Sequence, residues 1–206
     1  METIKLYFPD LTEKQLNQIL ILEQWYPWWN ERINVISRKD IGNLEVNHIL
    51  HSLAIARFLS FAQGTQVLDL GTGGGFPGIP LAILFPQTEF LLIDRTAKKL
   101  RVAQDIAEKA ELSNVHFFHG DVKEVKDKFD FVVSRAVMDL NDMVPLVRRL
   151  IRKPGFNALP NGLICLKGGD LKNETRAFSK SAIEEDLSAY FTQDYFATKK
   201  IVFIPL

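Results

Sequence analysis

The stretch VLDLGTGGGFPGIPLAILFP, residues 67–86, sets Gly71, Gly73, Gly74 and Gly75 between an apolar run and a proline-bordered segment of helical character. Glycine lets a backbone turn sharply and come close to a ligand where a side chain would block it. Four in five residues weaken a turn that needs only one or two, so a ligand is expected at this bend. Pro77 suits the opening of the helix, where its missing N–H would have no partner anyway. Gly73, Gly75 and Gly78 also satisfy G-x-G-x-x-G, with Asp94 about 20 residues further on, as a dinucleotide site requires.

Asp69 argues against that dinucleotide. It ends the apolar run just before Gly71, and a carboxylate there repels a pyrophosphate but attracts the ammonium and sulfonium groups of S-adenosylmethionine. The local charge therefore favours S-adenosylmethionine as the cofactor, with a nicotinamide oxidoreductase as the alternative.

Outward from this bend, runs rich in Val, Ile, Leu and Phe at 66–70, 89–93, 115–119, 129–134 and 162–167 alternate with helical stretches at 77–85, 97–111 and 140–153. Such alternation predicts parallel strands joined by right-handed crossovers, an α/β, Rossmann-like sheet covered on both faces. The tail departs from it. A polar helix near 172–188 is followed by AYFTQDYF and KKIVFIPL, too close together to pair other than as an antiparallel C-terminal hairpin. Before the sheet, Leu16, Ile19, Leu20, Leu22, Trp25, Tyr26, Trp28 and Trp29 recur at helical spacing, with Thr12 as N-cap and Pro27 as a break or kink. VNHILHSLAIARFL reads as a further amphipathic helix. The expected division is an N-terminal helical extension over 1–62 and a cofactor-binding domain over 63–206.

With 206 residues, 47% of them hydrophobic, the chain can bury a sizeable core. Its formal net charge is zero, so attraction to a polyanion must come from a local basic face. One cysteine, Cys165, rules out an internal disulfide, and neither a leader segment nor a membrane-length apolar run is present. The reading is of a cytoplasmic monomer.

The strand ends carry the candidate site. Asp94 closes LLID, where an acid accepts from both ribose hydroxyls or caps the next helix. Asp121, in HFFHGDV, is placed to accept from the adenine amino group while the Val122 or Lys123 amide donates to a ring nitrogen. Arg135, after FDFVVS, is placed to clamp the cofactor carboxylate or a substrate phosphate through paired hydrogen bonds. Lys167 ends the fifth strand with a weaker claim to the same work. Lys98, Lys99 and Arg101 in AKKLRVA are candidates for RNA phosphate, as are Arg148, Arg149, Arg152 and Lys153 in VRRLIRK, although such runs also serve as solvated helix faces. The histidines do not assemble a metal site: His48 and His51 share a helix face, but His116 and His119 point to opposite faces of a strand.

Three acids at successive strand ends predict a methyltransferase. The [DN]-P-P-[YF] signature of adenine amino methylation is missing, since the place after the fourth strand reads VVSRAVMDL. The nucleophilic cysteine of pyrimidine-carbon methylation is missing too, because Cys165 falls at a buried strand position. A target with its own nucleophilic lone pair, such as guanine N7, needs neither device.

Assembled, these residues resemble the glucose-inhibited division protein B family, bacterial methyltransferases acting on a guanine N7 of 16S ribosomal RNA. The resemblance runs nearly the full length, through WNERINVIS, HILHSL, DLGTGGGFPGIPLAI, LLIDRTAKKLRVA, FDFVVSRAVMDLNDMV, LKGG and KKIVFI. It implies a class I S-adenosylmethionine-dependent methyltransferase fold with an N-terminal helical cap, acting on the RNA or the small ribosomal subunit. It also implies cofactor contacts at Gly71, Phe76, the Val122–Lys123 backbone and Arg135, Asp94 at the ribose, and no side-chain general base. His51 stands where the family usually has aspartate, Lys199 where it usually has arginine, and Asp121 is not a family-wide feature. A nonenzymatic RNA-binding factor of the same fold is the remaining alternative.

Overall fold

A computed structural model describes residues 1–135 and 137–206. Seven strands form one sheet: β1 (Gln66–Leu70), β2 (Glu89–Asp94), β3 (Val115–His119), β4 (Phe131–Arg135), β5 (Gly162–Gly168), β6 (Ile183–Asp186) and β7 (Lys199–Pro205). Their order is β3-β2-β1-β4-β5-β7-β6. The first five pair in parallel, and β7 lies antiparallel between β5 and β6. From β1 the chain moves to β2 and β3 on one side and then to β4 on the other. A crevice must therefore open at the carboxyl ends of β1 and β4, the topological switch point where α/β sheets bind ligands.

Alternation along the strands sorts side chains to two cores. Val67, Phe131, Val133, Ile164 and Leu166 face one core with helices α3 (His51–Phe58), α4 (Gly78–Leu84) and α5 (Ala97–Lys109), while Leu68, Val132, Leu163 and Cys165 face α6 (Leu140–Arg148) on the other side. Burial on both faces explains why these strands read as continuous apolar runs.

The N-terminal helices share the first of these cores. Helices α1 (Glu2–Tyr7) and α2 (Glu13–Asn30) contribute Ile4, Ile19, Leu22 and Tyr26 to it. Thr12 caps α2 in a reciprocal box with Gln15. The same Gln15 donates through Nε2 to the Ile83 and Leu84 carbonyls at the end of α4, and Gln18 donates to the Ala110 carbonyl at the end of α5. Helix ends leave carbonyls without intrahelical partners; α2 supplies partners for two of those ends.

Three expectations are corrected. Pro27 does not end α2, which continues through it to Asn30; only one turn follows, anchored by buried Tyr26 and Asn30. The segment VNHILHSLAIARFL begins as a π-helix, Leu44–Leu50, before α3. The polar tail forms only α7 (Lys172–Thr175) and a short 3₁₀ turn before β6, so the outer strand is IEED, and AYFTQDYF runs irregularly from the end of one 3₁₀ turn, Leu187–Ala189, into another, Asp194–Thr198. Phe191 and Phe196 are buried and packed on each other, ring centroids 4.5 Å apart, which a strand could not achieve for residues on opposite faces.

Candidate active site

Asp69 organises the glycine loop from beneath. It is fully buried at the end of β1, and its Oδ2 accepts from Thr72 Oγ1 at 2.6 Å and from the Gly78 amide at 2.8 Å. Its Oδ1 is buried without a hydrogen-bond partner among the described residues. Burial pushes the carboxyl up to about 7, against the pull of Thr72 and Gly78. This corrects the picture of Asp69 facing a ligand directly, because the loop's own donors need an acceptor and seal it off. Its electrostatic influence on the cleft therefore passes through the loop.

The loop needs glycine for two distinct reasons. Gly71 has φ +71°, and a Cβ there would lie 2.6 Å from Cγ2 of Val137. Gly73 has φ +57° with open space around it, so conformation alone constrains it. Gly75 closes the bend by donating its amide to the Thr72 carbonyl at 2.9 Å. The side chain of Phe76 is not in the cleft: it is buried against Tyr26 and His48, with centroids 4.5 and 5.5 Å away.

Asp94, at the end of β2, joins the loop to α5. Its Oδ2 accepts from the Gly73 amide at 2.8 Å and its Oδ1 from the Thr96 amide at 2.7 Å. Beside it lies a cleft of about 330 Å³, lined by Gly71, Asp94, Arg95, Gly120, Val122 and Val137 among others. That volume is within the range of small-molecule sites. Asp121 is turned elsewhere: its carboxylate pairs with Arg95 Nη2 at 2.5 Å and accepts from the Lys123 amide at 2.9 Å, interactions that hold it below the usual aspartate value. In this arrangement the Asp121 carboxylate and the Lys123 amide are engaged with each other, so a contact of either with adenine would require that bond to be shared or given up. Val122 lines the cleft, and its amide makes no hydrogen bond among the described residues.

Arg135, at the end of β4, lies outside the lining of this cleft, on the side of the glycine loop held by Phe76 and the N-terminal helices. Its guanidinium lies 4.8 Å from the Phe76 ring centroid, and Nη1 donates over a long 3.5 Å to the Asn47 carbonyl. That carbonyl also accepts from Tyr195 Oη at 3.1 Å, and Tyr195 meets His51 Nδ1 at 3.0 Å. No carboxylate pairs with Arg135 among the described residues, and burial moves the guanidinium below its usual value. The guanidinium thus keeps its planar fork of donors free for a carboxylate or phosphate.

The basic candidates separate. Lys98 and Arg101 are exposed and Lys99 half-exposed on α5, without ion pairs among the described residues. Lys167 is corrected: its Nζ contacts Glu174 and the Met138 carbonyl, each at 2.6 Å, and only 9% of its side chain is exposed. Arg149 donates to the Val122 and Val125 carbonyls, and Arg152 pairs with Asp130, so both brace the fold. Cys165 is buried, its thiol pushed up to about 12. His48 pairs with Asp40 and His116 with Glu89; among the described residues no cluster of three metal-ligating side chains is found. Strand-end logic missed Tyr26, whose hydroxyl donates to the Gly74 carbonyl at 2.7 Å, along with Thr72, Asn47 and Tyr195. Of these, only Thr72 has a local signal, lying inside the loop it closes.

Residues 15–202 match the family model GidB, rRNA small subunit methyltransferase G. The chain is 56% identical to ribosomal RNA small subunit methyltransferase G of Parabacteroides distasonis, over 97% of this chain and 87% of the relative. It is 54% identical to the protein of that name from Phocaeicola vulgatus, over 100% and 99%. Among solved structures, a precorrin-6y C5,15-methyltransferase from Geobacter metallireducens aligns with TM-score 0.54 and 14% identity, over 84% of this chain and 92% of that one. Aeropyrum pernix fibrillarin, solved with natively bound S-adenosyl-L-methionine, aligns with TM-score 0.54 and 12% identity, over 75% and 73%. These two show the α/β methyltransferase fold. Sequence match, strand order and the cleft at the switch point agree, and the chain belongs to the rRNA small subunit methyltransferase G family.

Proposed function

We propose that this chain transfers a methyl group from S-adenosylmethionine to N7 of a guanine in 16S ribosomal RNA, acting as a monomer in the cytoplasm on the RNA or the small subunit. The observation that carries the reading is the cleft between Gly71, Asp94 and Val122 at the switch point of the sheet. Its residues fit the cofactor. Gly71 lets Val137 pack closely against the backbone of the cleft wall, Asp94 offers carboxylate acceptors to a ribose, and the Val122 amide is a donor without a partner among the described residues. When bound, S-adenosylmethionine supplies an electrophilic methyl on a sulfonium.

The chain's own contribution is positioning. N7 of guanine carries an accessible lone pair, and its methylation releases no proton from that nitrogen, so a general base is not required. Of the ionisable side chains here, Asp94 is engaged with two amides and Asp69 is sealed under the loop. Arg135, without an ion-pair partner, holds either the cofactor carboxylate or a substrate phosphate. Lys98, Lys99 and Arg101 on α5 attract the RNA backbone. No described helix is long and apolar enough to cross a membrane, which agrees with a substrate on the ribosome.

Calorimetry and labelled-methyl transfer test this together. S-adenosylhomocysteine should bind while NAD does not, and label should pass to small subunits from cells lacking the enzyme. Asp94→Ala should lose both. NAD binding would favour an oxidoreductase; cofactor and RNA binding without transfer would favour a nonenzymatic factor.

A further inference from the structure

The chain's three tryptophans, Trp25, Trp28 and Trp29, lie together at the end of α2. Trp28 is 41% exposed and packs against neither core, although tryptophan is ordinarily well buried. Its ring meets Trp25 and Trp29 edge-on, centroids 5.4 and 5.0 Å apart, and the Arg32 guanidinium stands 3.7 Å from its centroid. Lys109 Nζ lies 4.4 Å from the Trp25 centroid.

The cluster is tied to the basic helix beside the cleft. Trp29 Nε1 donates to Asp105 Oδ2 at 2.7 Å, and Lys109 occupies Asp105 Oδ1 at 2.9 Å. Lys98, Arg101, Asp105 and Lys109 follow at three- and four-residue spacing and share one face of α5. Lys98 and Arg101 have no ion pair among the described residues, whereas Asp105 is already engaged by Lys109 and Trp29. From Ala97 to Asp105 the helix spans roughly 12 Å, and its start adjoins Asp94 and Arg95 at the cleft. A stripe of free cations thus leads from the cleft to a ring with a guanidinium beside it. Two acids are part of this surface: Glu31 pairs with Arg32 at 3.6 Å, and Glu108, seven residues after Arg101, is exposed on the same side of α5.

We infer that this stripe is a binding surface for an unpaired segment of the substrate RNA, with Lys98 and Arg101 on its phosphates and a base stacked on Trp28. The inference rests on the proposed RNA substrate. Bases of any identity stack on indole, and a guanidinium adds to the stack. A single unpaired RNA strand offers both kinds of group at once, phosphates at regular spacing for Lys98 and Arg101 and a base for the indole.

Because every tryptophan of the chain lies at this surface, intrinsic fluorescence of the full-length protein reports on it directly. Titration with oligoadenylate should quench that fluorescence, and Trp28→Ala should weaken the binding roughly tenfold. The same variant should raise the KM for undermethylated small subunits by a similar factor. Its affinity for S-adenosylhomocysteine should stay unchanged, and Trp28→Phe should retain most of the binding. Lys98→Gln with Arg101→Gln should reduce the slope of log affinity against log salt by roughly 1.4. Absence of quenching with an unchanged KM overturns the inference, as does crosslinking of Trp28 to ribosomal protein instead of RNA. If the wild type is quenched by RNA yet transfers no methyl, the surface stands and the enzymatic reading falls.

Discussion

The hydroxyl of Tyr26 donates to the carbonyl oxygen of Gly74 at 2.7 Å, fixing the glycine loop from the N-terminal helices while Asp69 fixes it from below. Tyr26 is fully buried. Tyr26→Phe leaves that carbonyl without a donor in a dry setting, which costs about 1–3 kcal/mol. Thermal unfolding of the variant should fall accordingly, and S-adenosylhomocysteine should bind more weakly, since the loop borders the cleft. Unchanged affinity would mean that the extension stabilises the loop without shaping it.

Asp69 gives stability a defined pH dependence. Its folded-state value of about 7 lies above the unfolded one of about 3.9, so folding favours the protonated carboxyl. That contribution is fully present below about pH 4 and is lost as pH rises toward 7. Denaturant unfolding should show a decline in stability over this window, and Asp69→Asn should flatten it. A decline of equal size in the variant would assign it to another group.

Gly71 and Gly73 should respond differently to alanine. At Gly71 the new Cβ meets Val137 as well as a positive φ; at Gly73 only the φ of +57° opposes it. Adopting that left-handed conformation costs about 1–2 kcal/mol. Calorimetry should find S-adenosylhomocysteine binding abolished in Gly71→Ala and merely weakened in Gly73→Ala.

Lys167 and Lys98 offer a contrast between two lysines read alike from sequence. Lys167→Met strands Glu174 and the Met138 carbonyl, so its unfolding temperature should drop. The salt dependence of RNA binding should not change, whereas Lys98→Gln should reduce it with little effect on stability.

What the sequence made legible follows from periodicity. Strands β1, β4 and β5 are buried on both faces, so their apolar runs stand out, while β3, at the sheet edge, is marked only by Val115, Phe117 and Phe118 beside exposed histidines. β6, IEED, did not stand out. It is an outer strand whose acids Glu184 and Asp186 pair with Lys200 of β7, and that polarity reads as helix or loop. Asp94 stands out in the sequence because it ends a strand, and the end of β2 lines the switch-point crevice. Asp121 and Lys167 also stand at strand ends, but their partners Arg95 and Glu174 come from neighbouring segments that strand-end logic does not weigh. Tyr26, Asn47 and Tyr195 reach the site from distant parts of the chain, and nothing local marks them.

The position of the transferred methyl tests the central claim most directly. Small subunits from cells lacking this enzyme should be incubated with the protein and methyl-labelled S-adenosylmethionine, and the 16S RNA digested to nucleosides for mass spectrometry. The account predicts label in N7-methylguanosine alone, lost with Asp94→Ala. Label on an exocyclic nitrogen, a ribose or a pyrimidine carbon would contradict it.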